Sequence, residues 1–211
     1  MLKKEDLKQI HDKGISEEQI NRQLEDFKRG FPYLKLEGAA TPKKGVMVLD
    51  KNACEAACKA WQDYQTHGHK VVKFVPASGA ASRMFKDLFA FLNGNNEAPV
   101  SVFEKEFFSN IHQFAFYEAL SAKCQQLEGK TIDALIAEGR YKAVVATLLN
   151  KEGLNYGQLP KGLLLFHSYD DGARTPMEEH LVEAALYAAS NGEANVHFTV
   201  SHDHLQLFKD K

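Results

Sequence analysis

The sequence predicts an α/β protein in which a mostly parallel, doubly wound, Rossmann-like sheet carries a helical insertion. Three apolar runs predict its strands, at Val71–Val75, Gly162–His167 and Asn195–Val200. Each run precedes the signals that begin a helix, and strands that alternate with helices usually form parallel sheets. The chain has 211 residues, of which 44% are hydrophobic, so it is long enough to bury one sizeable core.

The part of the chain before the first of these strands is predicted to be mainly helical. Ser16 is suited to cap a helix, because an apolar stripe at helical spacing follows it. Val46–Leu49 has the pattern of a short strand, and a further helix is expected from Asn52 to His67. We therefore expect residues 1–69 to form an N-terminal helical region that packs on a core formed by residues 70–211.

The segment between the first and second predicted strands is also expected to be helical. One helix should run from Arg83 to Leu92, and a helical insertion follows at about residues 97–150. The insertion is rich in aromatic residues, which we interpret as a core that packs on the sheet rather than as an aromatic ligand box. After the second strand, Thr175 and Pro176 predict the start of another helix, because Thr caps helices and Pro is favoured at their first position.

Composition and charge limit the classes of function. The net charge of −2 gives no support for a nucleic-acid partner. No apolar run reaches membrane-spanning length, so no membrane partner is expected, and the first residues lack the apolar core of a secretory signal. The three cysteines do not make a paired disulfide framework. A cytoplasmic protein is the simplest interpretation, and the oligomeric state stays open.

The strongest functional signal is the loop that follows the first predicted strand. None of its side chains is larger than that of Ser, so a ligand can approach its backbone N–H groups closely. The loop residues are Ser78, Gly79, Ala80, Ala81 and Ser82. Arg83 follows in the expected first turn of a helix, where a cation is unfavourable unless an anion lies nearby. The sequence therefore predicts a phosphate-binding turn.

Two segments resemble the signature of sugar nucleotidyltransferases, also called pyrophosphorylases. Gly79–Met84 is similar to their Gly-x-Gly-Thr-Arg-Met or Leu motif, and Pro160–Lys161 is similar to their later Pro-Lys element. Nearly the whole chain also resembles an uncharacterised family of bacterial proteins, found mainly in Bacteroidetes, whose members are longer. These resemblances imply a nucleotidyltransferase-like architecture in the N-terminal part of a longer protein.

The nucleotidyltransferase resemblance also implies a reaction. A nucleotidyl group would pass from a nucleoside triphosphate to a sugar phosphate, with release of pyrophosphate. The small-residue loop would wrap the triphosphate, Arg83 would neutralise its β- and γ-phosphates, and Lys161 would stabilise charge at the α-phosphate. Mg²⁺ is the implied cofactor, and its ligands are not assigned.

The sequence departs from that signature in two places. Ala81 replaces the second Gly, and its methyl group is expected to obstruct the approach of a ligand. The gap between Arg83 and Lys161 is longer than in the superfamily, so the helical insertion must loop out and bring Lys161 back. Two alternatives therefore stay open: a module that binds a nucleotide or phosphosugar without catalysis, and a structural domain whose aromatic insertion docks a partner.

Other polar residues are weaker candidates for a site. His167 ends the second predicted strand, where it would either line a pocket or make a structural hydrogen bond. Arg174 precedes a predicted helix and would either contact a phosphate or pair with the aspartates beside it. His202 and His204 would either ligate a metal or lie in a solvated helix turn, and the metal ligands stay unknown.

Overall fold

The computed structural model describes residues 2–77 and 79–211, and it divides into two compact units. The first unit ends at Cys54 and contains α1, Lys4–Asp12, and α2, Glu17–Arg29. The predicted cap of α2 is confirmed, because the Ser16 hydroxyl accepts a hydrogen bond from the backbone N–H of Gln19 at 3.1 Å.

The predicted strand at Val46–Leu49 is wrong. These four residues belong to no strand of the described chain, and all four side chains are exposed. A strand forms only where a neighbouring strand satisfies its backbone groups, and no such neighbour pairs with this segment among the described residues.

The second unit begins at Glu55 and holds most of the secondary structure. The remaining helices are α3, Lys51–Thr66; α4, Lys86–Asn93; α5, Val102–Ser109; α6, Tyr117–Glu128; α7, Ile132–Ala137; α8, Tyr141–Leu149; α9, Pro176–Tyr187; and α10, Leu205–Asp210. Within the described residues, none of the helices is both long and apolar enough to cross a membrane.

The strands of the second unit form three two-stranded sheets. Together with the helices, they make the protein a mixed α/β structure. The strands are β1, Lys73–Pro76; β2, His167–Tyr169; β3, Gly172–Arg174; β4, Ala189–Ser190; β5, Glu193–Ala194; and β6, Val196–Thr199. The pair β1–β6 is parallel, whereas β2–β3 and β4–β5 are antiparallel hairpins. A wider doubly wound sheet is not among the described elements.

The first and third predicted strands are confirmed as β1 and β6, but the middle run, Gly162–His167, is not a strand. It begins instead with a 3₁₀ turn at Lys161–Leu163 and only reaches β2 at its last residue. The reason is packing. Leu164 is fully buried in the core of the helices, and the backbone N–H of Leu165 donates to the hydroxyl of Tyr156 at 3.1 Å. The run therefore fills a core instead of pairing in a sheet.

The main hydrophobic core lies among α4 to α8, of which α5 to α8 fall in the predicted insertion. Its most deeply buried side chains have no exposed surface; examples are Leu120, Ile132, Val144 and Leu148. The expectation that this core packs on the sheet is not met, because no residue of β1 or β6 belongs to it among the described residues. The helices of the insertion thus share one core with the α4 region and with Leu164.

Candidate functional site

The predicted phosphate turn lies at the carboxyl ends of the parallel pair β1–β6. The two strands run in register from Lys73 beside Val196, and the backbone N–H of Ala77 donates to the carbonyl of Thr199 at 2.8 Å. The loops that follow both strands therefore leave from one edge. In open α/β sheets, this is the edge at which ligands bind.

The two sequence motifs that resemble the nucleotidyltransferase signature meet in the structure. The backbone N–H of Lys161 donates to the carbonyl of Gly79 at 3.0 Å, and Ala80 pairs with Pro160 in an isolated antiparallel bridge. The helical insertion thus does loop out and return Lys161 to the turn. Ser78, the first residue of the predicted loop, lies outside the described residues.

One side of the loop is open. A Cβ added at Gly79 would meet no atom within 4 Å, and Gly79, Ala80 and Ser82 are all exposed. Ala81, in contrast, is 1% exposed and belongs to the helical core. The methyl group of Ala81 packs in this core. It therefore does not obstruct a ligand at the exposed residues of the loop, as the sequence had predicted it would.

Arg83 lies in a turn before α4 and not in the first turn of the helix. The prediction of a helix start at Arg83 is wrong, because the N–H of Met84 closes a tight turn on the carbonyl of Ala81 at 2.8 Å, and α4 begins only at Lys86. Arg83 and Lys161 are both exposed, and neither side chain has a hydrogen-bond or ion-pair partner within the described part of the chain. Two uncompensated cations therefore flank the open loop.

A cavity of about 220 Å³ adjoins the loop. Its walls include Gly79, Lys161, Phe166 and the first turn of α9 at Pro176. That turn is held in place by the predicted cap: the hydroxyl of Thr175 accepts from the N–H three residues later at 3.3 Å. The loop, the Pro160–Lys161 segment and the start of α9 thus form one concave surface.

A polar network that sequence reasoning missed lies between β1 and α9. The ammonium of Lys73 pairs with the carboxylate of Glu183 and donates to the hydroxyl of Tyr187 at 2.9 Å. His180, which lines the 220 Å³ cavity, contacts Glu183 through Nδ1 at 3.1 Å. The hydrogen bond from Lys73, and to a smaller extent the one from His180, lowers the pKa of Glu183 from 4.5 to about 2. Only the spacing of His180 and Glu183 on one helix face was visible in the sequence.

The weaker candidates lie in the β2–β3 hairpin and in the turn before α10. His167 is the first residue of β2 and pairs with Arg174, the last residue of β3. Arg174 makes the pairing that was one of its two alternatives, with Asp171 at 2.9 Å, and it also contacts Glu179 at 3.5 Å. Its charge is therefore already matched by two carboxylates.

The implied Mg²⁺ has no assigned ligands among the described residues. Within residues 2–77 and 79–211, no group of three or more His, Cys, Asp or Glu side chains is arranged to hold a metal ion. His202 and His204 lie instead in a 3₁₀ turn before α10. Mg²⁺ therefore stays a prediction, no residue is assigned to it, and no step is derived through it.

Comparison with known proteins identifies the family of the chain. Neither the curated proteins nor the solved structures gave a match. A family model described as a domain of unknown function, DUF4301, matches residues 3–211. The chain therefore belongs to the DUF4301 family.

Proposed function

We propose that the chain binds the phosphate groups of a nucleoside triphosphate at Gly79–Arg83 and Lys161, and that it transfers the nucleotidyl group to a sugar phosphate. The observation that carries the proposal is the backbone hydrogen bond from Lys161 to Gly79, which unites two motifs far apart in sequence. The proposal includes the doubly wound, nucleotidyltransferase-like sheet, to which β1 and β6 would contribute a parallel pair.

Charge and exposure support phosphate binding at this place. Arg83 and Lys161 are exposed cations without an ion-pair partner among the described residues, and the open side of Gly79 leaves room for an anion. Hydrogen bonds to charged groups are stronger than those between neutral groups, because charge assists them. A triphosphate would supply the negative charge that the two side chains lack.

The reaction would need little proton transfer from the protein. An oxygen of the sugar phosphate attacks the α-phosphorus of the triphosphate, the bond from that phosphorus to the bridging oxygen breaks, and pyrophosphate leaves. Lys161 would stabilise the charge on the α-phosphate during this step, and Arg83 would hold the leaving phosphates. Positioning and cationic side chains would thus account for the contribution of this chain.

Calorimetric titration with inorganic pyrophosphate and with nucleoside triphosphates tests the binding site. Arg83→Ala and Lys161→Ala should each weaken binding by about 10- to 100-fold, as expected for one hydrogen bond between charged groups worth about 1.5–3 kcal/mol. Lys151→Ala is the matched control, because Lys151 is exposed and unpaired among the described residues but lies outside the site. Unchanged affinity in both site variants would refute the proposal.

An activity assay separates the proposed enzyme from the non-catalytic module. The chain is mixed with a nucleoside triphosphate and a panel of sugar phosphates, and released pyrophosphate is measured. Pyrophosphate release that Lys161→Ala abolishes would support nucleotidyl transfer. Triphosphate binding that depends on Arg83, without release of pyrophosphate for any sugar phosphate, would favour the binding module.

A further inference from the structure

A second cavity, larger and almost entirely apolar, adjoins the proposed phosphate site. It has a volume of about 430 Å³ and is formed by the turn before α4 together with α5 and the segment that follows α5. Met84, directly after Arg83, forms part of its wall, and Phe166 lines both this cavity and the 220 Å³ cavity beside Lys161. Phe166 is thus a common wall of the two cavities, and the larger cavity lies beside the proposed phosphate site.

The walls of the larger cavity are aromatic. The rings of Phe114 and Phe116 are parallel to within 6°, with their centres 5.0 Å apart, and the ring of Phe107 lies 5.3 Å from that of Phe114. Phe103 and Phe114 are 40% and 37% exposed although they belong to the cavity wall. Flat, exposed aromatic surface of this kind stacks well on a planar ring, and aromatic side chains bind nucleobases by such stacking.

The wall of the cavity includes the acidic residue Glu106, which can distinguish among planar rings by hydrogen bonding. The carboxylate of Glu106 has no hydrogen-bond or ion-pair partner within the described chain, whereas the amide of Asn110 is already bonded to the Glu106 carbonyl and to Gln113. A carboxylate only accepts hydrogen bonds, through two oxygens side by side. It therefore favours a ring edge that presents two neighbouring donors.

Among the common nucleobases, guanine presents that edge. Its N1–H and N2–H₂ groups point the same way, so each can donate to one carboxylate oxygen. Adenine and cytosine place an acceptor nitrogen beside their amino group, and uracil flanks its N3–H with two carbonyl oxygens. Each of these acceptors would face the carboxylate and repel it.

We infer that the aromatic cavity is a guanine subsite, with the base stacked on Phe103 and Phe114 and paired with Glu106. The inference rests on the proposed function, and it specifies a guanine nucleotide as the triphosphate. The phosphates occupy the loop at Arg83 and Lys161, and the base occupies the cavity formed by the helical insertion. The aromatic insertion thereby acquires a role in recognition in addition to its role in the core.

Titration of the chain with GTP, ATP, UTP and pyrophosphate tests the subsite. GTP should bind at least about tenfold more tightly than UTP, because a charged acceptor bonded to a base edge is worth about 1.5–3 kcal/mol. Glu106→Gln should remove this preference, and Phe103→Ala should weaken all three nucleotides by about 5- to 150-fold, the range for loss of base stacking. Pyrophosphate, which has no base, should be unaffected by either change.

Val102→Ala is the matched control for the helix, since Val102 precedes Phe103 in α5, is 72% exposed and does not line the cavity. Circular dichroism checks that each variant is folded, and Phe103→Leu repeats the stacking test with a smaller change in volume. Equal affinity for GTP and UTP, or a preference that survives Glu106→Gln, would overturn the guanine subsite.

The two proposals fail in different ways. Binding of pyrophosphate with no preference among the bases would leave the phosphate site intact and refute the subsite alone. Absence of pyrophosphate binding would refute the phosphate site, and guanosine, which carries no phosphate, then decides the subsite. Guanosine binding that Glu106→Gln weakens would support it, and no guanosine binding would refute it.

Discussion

Replacing Glu183 with Gln should destabilise the protein near neutral pH and much less in acid. The carboxylate of Glu183 is hydrogen-bonded to Lys73 and His180, and these hydrogen bonds lower its pKa from 4.5 to about 2. At about 1.4 kcal/mol for each tenfold change in proton affinity, this corresponds to about 3 kcal/mol if solvent did not screen the charges. The side chain is 39% exposed, so we discount the effect to about 1 kcal/mol.

The pH dependence follows from the direction of the pKa change. A carboxyl group whose pKa is lower in the folded state contributes stability above its unfolded value near 4.5 and loses it as the pH falls through about 2. The free energy of unfolding, measured in urea at several pH values, should therefore differ between wild type and Glu183→Gln at pH 7. The difference should shrink steadily as the pH falls below about 5.

A control carboxylate makes this test specific. Glu193 is exposed on β5 and has no side-chain partner among the described residues, so Glu193→Gln should change stability by no more than about 0.5 kcal/mol. A constant difference between wild type and Glu183→Gln from pH 7 to pH 3 would refute the reasoning. So would an equal effect of the two substitutions.

Two further predictions concern the helical core. Leu120→Ala should lower the free energy of unfolding by about 2–5 kcal/mol, because Leu120 has no exposed surface, and Leu127→Ala in the same helix should cost much less because Leu127 is 45% exposed. Equal losses in urea unfolding would contradict the placement of the core. Tyr156→Phe should cost about 1–2 kcal/mol and speed hydrogen exchange at the Leu165 amide, which loses its acceptor. Unchanged exchange at Leu165 would contradict that hydrogen bond.

The features that the sequence predicted well are those determined by neighbouring residues. Runs of β-branched and aromatic residues predicted β1 and β6, and the Thr175 cap with Pro176 predicted the start of α9; all three are confirmed. Such patterns act over a few residues, because capping and strand preference depend on local backbone geometry. They needed no knowledge of the tertiary structure.

The features that the sequence did not predict depend on distant partners. An apolar run such as Gly162–His167 suits a strand or a helical core equally, and only the burial of Leu164 among the helices decides between them. The bond between Lys73 and Glu183 joins elements far apart in the chain. The loop motif could be recognised from local spacing, whereas its contact with Lys161 was predicted only through the resemblance to nucleotidyltransferases, since the whole helical insertion lies between them.

The link between the loop and Lys161 is made by backbone atoms alone, from the N–H of Lys161 to the carbonyl of Gly79. This hydrogen bond does not depend on the side chain at position 161, provided that the residue there keeps its backbone N–H. Substitutions there can change the charge, length or hydrogen-bonding capacity offered to a ligand while the loop keeps its support. Ligand preference and structural integrity are thus separable at this position, which makes it a suitable point for redesign.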